Sequence, residues 1–133
     1  MRLRYLMIAS AIVYAIFGVA FLLAAGLVLA LYGGMSMEPL TDHLFGAALV
    51  GFAVVNWLVR DASGGPAVRG VIAANLAFNA LAFVSILVEQ LSGAVNALGW
   101  SSVLVSLLLT VGFAYVLFVK PIAASESAMA APR

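Results

Sequence analysis

Residues 5–32 read YLMIASAIVYAIFGVAFLLAAGLVLALY, and no charged residue occurs from Tyr5 to Met37. A helix needs about 20 apolar residues to cross the hydrocarbon core of a bilayer, so this run supports a full crossing with tilt. It is also far longer than the roughly 7–15-residue apolar region of a secretory signal. Arg2 and Arg4 and the small residues Ala24 and Ala25 are signal-like, yet the length reads as a retained first helix.

The rest of the chain has the same character. Hydrophobic residues make up 66% of it and charged residues 8%, against about half and about a quarter in soluble domains. So few charges cannot cover the surface of a soluble domain, and lipid is the solvent such a surface suits. The 133 residues are nearly used up by four crossings with short loops. We therefore expect an all-α antiparallel four-helix membrane bundle in one domain, residues 1–120, with a short tail at 121–133. The helices are expected at about 5–32, 39–59, 68–90 and 95–119. Punctuation supports these bounds: Gly33-Gly34 ends the first helix, Pro39 suits the first turn of the second, Ser63-Gly64-Gly65-Pro66 forms a turn, Ser92-Gly93 opens the last connection, and Pro121 closes the fourth helix.

Every Lys and Arg lies in one of three places: the N-terminus (Arg2, Arg4), the second connection (Arg60, Arg69) or the C-terminus (Lys120, Arg133). An even number of crossings puts these three segments on one side, and Lys and Arg mark the cytoplasmic side. Both termini are thus expected in the cytoplasm. Glu38, Asp42 and Glu89 fall at the opposite end. Tyr5, Trp57 and Tyr115 suit the inner interface, and Tyr32 and Trp100 the outer one.

Inside a bilayer, polar side chains turn toward protein or water. At about 100° per residue, Asn75, Asn79, Ser85 and Glu89 share roughly a third of the third helix. Ser10, Tyr14, Gly18 and Gly26 lie near one face of the first, and Gly99, Ser102, Ser106 and Thr110 form a stripe on the fourth. These faces read as packing surfaces, with Asn, Ser and Thr bonding across interfaces. Tyr14, Asn56, Asn75, Asn79 and Ser85 are the candidate polar interior. Asn56 and Asn75 fall at similar depth, where they are expected to pair. Gly51-Phe52-Ala53 and Gly112-Phe113-Ala114 hint at a duplicated hairpin.

Asp42, His43 and Glu89 form a candidate cluster at the outer end, where carboxylate and imidazole could hold a proton or a divalent cation. Helix capping by Asp42 and solvation are the simpler reading. Disulfides, thiolate metal sites and cysteine nucleophiles are excluded because the chain has no cysteine. Its single histidine leaves no Ser–His–Asp chemistry in the membrane, and the net charge of +1 argues against nucleic acid. No cofactor or resident metal is implied, and an enzyme is not expected. No acidic residue lies in the middle of a crossing. Small multidrug exporters, comparable in size and helix number, carry a glutamate in the first helix, and this chain has none there.

Leu44-Phe45-Gly46-Ala47-Ala48, Asn56-Trp57-Leu58-Val59-Arg60, Asn96-Ala97-Leu98-Gly99-Trp100 and Gly112-Phe113-Ala114-Tyr115 together resemble small four-helix proteins of bacterial inner membranes to which no function is assigned. The resemblance covers the chain from the second helix onward. It implies location and fold, and brings no activity. The expected function is a non-enzymatic structural or accessory subunit, or a homo-oligomeric scaffold, with the lipid bilayer and other membrane helices as partners. The alternative is an oligomeric small-molecule or ion transporter or channel using Tyr14, Asn75 and Asn79. A third reading places a lipid, quinone or pigment between helices, with Phe78, Phe83 and Phe113 as contributors.

Overall fold

The computed structural model describes residues 3–33 and 39–119. Four helices occur among them: α1 (Leu3–Leu31), α2 (Pro39–Val59), α3 (Pro66–Ser92) and α4 (Gly99–Ala114), the last continuing as one π-helical turn, Tyr115–Val119. With that turn counted into α4, all four are long and apolar enough to cross a membrane. The expected tail at 121–133, Glu38 and Lys120 lie outside the described residues.

The boundaries follow local chemistry. Pro66 opens α3, where its missing N–H costs nothing. Gly93, at φ 77°, closes the same helix in the left-handed conformation that glycine adopts without penalty. The fourth helix starts later than expected, because the Asn96 side chain accepts a bond from Leu98 N at 2.9 Å and holds the preceding residues in a turn.

The helices associate as two hairpins. α1 packs along α2 and α3 along α4, whereas α1 meets α4, and α2 meets α3, only over short stretches. Inside the first hairpin the backbones touch at two glycines. A methyl group at Gly18 would sit 2.9 Å from Val50, and one at Gly46 would sit 2.9 Å from the Gly18 carbonyl oxygen and from Leu22 N. Small residues permit such an approach, and without a hydrophobic drive between helices it is a main source of packing energy in lipid. Gly51 and Gly26 have open space around them. Gly26 was expected to share the Ser10–Tyr14–Gly18 face. A break at Ala24, with φ −152° and ψ 44°, interrupts the helical register before it, and Gly26 ends up exposed.

The hydrophobic core where the hairpins join lies toward one end of the bundle. Leu6 and Met7 from α1, Ile72 from α3, and Phe113 and Val116 from the fourth segment are 2% exposed or less. Among the described residues, the basic groups Arg4, Arg60 and Arg69 lie at this same end, hereafter the basic end. Asp61 lies 3.2 Å from both Arg4 Nε and Arg60 Nε, tying the start of α1 to the second connection, and the Arg60 guanidinium covers the Trp57 ring at 4.2 Å. Exposed pairs of this kind contribute little energy, but they place the N-terminal segment and the second connection together. Gly51-Phe52-Ala53 and Gly112-Phe113-Ala114 occupy unlike surroundings, since Gly51 is exposed and Gly112 buried. The triplets therefore do not support a duplicated hairpin.

Outside the core the helices present leucines, isoleucines and valines, with Leu23 81% and Leu58 72% exposed. In water that surface would drive aggregation. Gly46→Val should overpack the α1–α2 crossing and destabilise the protein by about 1–3 kcal/mol. Gly51→Val should shift stability by less than about 0.5 kcal/mol. Unfolding titrations in mixed micelles measure both, and equal losses would contradict this crossing.

Candidate functional site

Two features fill the space between the hairpins: a polar clip in the basic half and an apolar cavity beyond it. The clip begins with Asn56 on α2 and Asn75 on α3, both 0% exposed. Asn56 Nδ2 donates to Asn75 Oδ1 at 2.9 Å, and Asn75 Nδ2 donates back to Asn56 Oδ1 at 2.8 Å. The remaining amide hydrogens are also placed. Asn56 Nδ2 donates to Ser10 Oγ at 2.9 Å, and Asn75 Nδ2 to Val71 O at 2.9 Å. Ser10 Oγ in turn donates to Met7 O at 3.1 Å. The depth-matched asparagine pair is therefore present, and it recruits α1 as well.

One turn further along α3, Asn79 Nδ2 donates to Asn75 O at 2.7 Å and to the Tyr14 hydroxyl. Tyr14 stands edge-on to Phe52 and Phe78, with ring centroids 5.9 and 5.7 Å away. Phe52 and Phe78 also meet each other, 4.9 Å apart. Four of the five expected interior residues, Tyr14, Asn56, Asn75 and Asn79, thus form one connected group.

Ser85 does not join them. It is exposed and lies along the cavity wall, because at its level α3 has parted from the first hairpin and that face meets open space. On α4 the hydroxyls mostly bond their own helix. Ser106 donates to Ser102 O at 2.8 Å and to Val103 O at 3.0 Å, and Thr110 to Ser106 O at 2.7 Å. Only Ser102 reaches across, donating to the Tyr32 hydroxyl at 3.0 Å.

The cavity has a volume of about 320 Å³ and is partly open, at the lower end of the range for small-molecule sites, about 300–1,000 Å³. Tyr14 and Asn79, both buried, line it together with Phe17, Phe21, Phe78, Tyr32 and Glu89. A second clasp closes the far end of the bundle. Asn96 donates through its side chain to Leu31 O and through its backbone N–H to Tyr32 O, each at 2.8 Å. These bonds occupy carbonyls that the end of α1 would otherwise leave bare. In the sequence Asn96 carries no site signal, since a loop asparagine looks like an ordinary turn former. Phe113, expected as a possible groove residue, is instead fully buried in the core, and Phe83 does not line the cavity.

No known protein family, curated protein or solved structure matches this chain. Its chemistry must be read from its own residues.

At the acidic end, Asp42 is buried in the first turn of α2, where a carboxylate complements the helix dipole. His43 and Glu89 are exposed. Among the described residues, no three His, Asp or Glu side chains converge as metal ligands would, Asp42, His43 and Glu89 included.

Asn56→Leu should destabilise the fold by about 1–3 kcal/mol, because it strands a buried amide on Asn75. Asn56→Leu/Asn75→Leu should cost less than the sum of the single changes, with a coupling of about 0.6–2 kcal/mol. A double-mutant cycle on unfolding in micelles gives the value. Additive losses would mean that the pair does not form.

Proposed function

We propose that this chain is a non-enzymatic integral membrane protein of the bacterial inner membrane, acting as an accessory or scaffold subunit with both termini in the cytoplasm. One observation carries the reading: the deeply buried polar side chains of the clip bond within the chain. The interior of the basic half thereby serves cohesion rather than catalysis or conduction. The apolar outer faces are left for lipid and for other membrane helices. The transport alternative needs a wet path past Asn79. Asn79 is 2% exposed and sits directly above the closed Asn56–Asn75 pair, which argues against such a path through a single chain.

The orientation rests on the distribution of Lys and Arg. Because the chain has no cysteine, single cysteines can map it cleanly. In intact spheroplasts, Ser92→Cys should react with an impermeant maleimide, and Ser63→Cys only after permeabilisation. The reverse pattern would invert the topology.

The accessory role is tested by native mass spectrometry of the particle released in mild detergent. Fixed-stoichiometry association with other polypeptides, or with further copies, is the expected result. A monomer in both detergent and nanodiscs, together with solute flux abolished by Asn79→Leu, would replace this reading with transport.

A further inference from the structure

Tyr14 and Asn79 contribute more hydrogen-bonding capacity to the cavity than the protein uses. The orientation of the Asn79 amide is fixed by chemistry. Its nitrogen must face Asn75 O, since a backbone carbonyl only accepts. The same nitrogen donates to the Tyr14 oxygen, so the tyrosine hydrogen points elsewhere. Among the described residues nothing accepts that hydrogen, and nothing donates to the Asn79 side-chain oxygen. Tyr14 is 3% and Asn79 2% exposed, and both line the cavity. Unmet polar groups in apolar surroundings are costly and call for an explanation. The rest of the lining is mostly apolar, with Phe17 and Phe78 nearest in sequence to the pair and Ser85, Glu89, Ser102 and Ser106 as further polar members.

From this geometry we infer that the cavity binds a lipid-soluble quinone, its planar head against Tyr14 and Asn79 and its apolar tail leading out of the open side. A head carbonyl accepts from the Tyr14 hydroxyl. The hydroxyl of the reduced form also donates to Asn79 Oδ1, so the oxidised ring uses the Tyr14 hydrogen alone and the quinol uses both groups. Aromatic walls favour a flat ring. Asn79 lies about 15 Å along α3 from Glu89, at 1.5 Å per residue, a depth at which a charged phospholipid head is disfavoured. This binding goes beyond the accessory role, which stands or falls separately on particle stoichiometry.

The test is equilibrium binding of a decyl-tailed benzoquinone to the full chain in nanodiscs, with dodecanol as the competing amphiphile. Saturable 1:1 binding is expected, with dodecanol a poor competitor. Tyr14→Phe keeps the ring and the Asn79–Asn75 bond, and should weaken binding about 2- to 10-fold, the effect of one neutral hydrogen bond. Ala82→Phe, which fills the cavity from α3, should abolish binding with helical circular dichroism retained. Absence of saturable binding overturns the inference, as does binding that neither substitution changes. Equal binding of dodecanol overturns the quinone in favour of a fatty alcohol.

Discussion

An amide buried among apolar helices has no water to fall back on, so its partner must come from the protein. Asn56 and Asn75 meet that requirement by bonding to each other in both directions. The consequences extend through the structure. The pair lies between α2 and α3, which otherwise touch little, and its reach to Ser10 brings in α1. The hydrophobic residues around it, Met7, Ile72 and Phe113, are fully buried. Apolar packing fills the space that the polar pair positions.

With the hairpins fastened toward the basic end, what happens further along depends on how each hairpin is built. The first is drawn tight at Gly18 and Gly46, and α1 then breaks at Ala24. Beyond the break, Tyr32 contacts Ser102 of α4 and the Asn96 connection. Two fixed points, the asparagine pair and the Tyr32–Asn96 clasp, hold the hairpins while the walls between them stand apart. The apolar cavity occupies that interval. Tyr14 and Asn79 line it with bonding capacity left over.

Much of this was legible in the sequence. Composition and uncharged runs specify four helices long and apolar enough to cross a membrane, and α2 spans 39–59 as its proline and its arginine suggest. The asparagine pair was legible for a geometric reason: helix rise converts residue number to depth, and Asn56 and Asn75 come out level. Other features had no local signal. Nothing in Ala24-Ala25-Gly26 distinguishes a break from continuous helix. Nothing in the sequence around Asp61 signals that it joins Arg4 to Arg60. The cavity arises from the divergence of two hairpins, a tertiary property, so Ser85 was placed inside when its face meets open space. Ser106 and Thr110 of the α4 stripe satisfy their own backbone whereas Ser102 reaches across to Tyr32, a choice that residue type leaves open.

The reciprocal amide pair is the claim on which the rest depends, and the chain contains only four asparagines, which makes it directly observable. Magic-angle-spinning NMR on asparagine-labelled protein in bilayers reads contacts between side-chain nitrogen and carboxamide carbon. Cross-peaks from Asn56 Nδ2 to Asn75 Cγ, and from Asn75 Nδ2 to Asn56 Cγ, are the expected result, with amide protons shielded from water exchange. Absence of both cross-peaks, with rapid exchange at either amide, would contradict the clip and the arrangement of hairpins built on it.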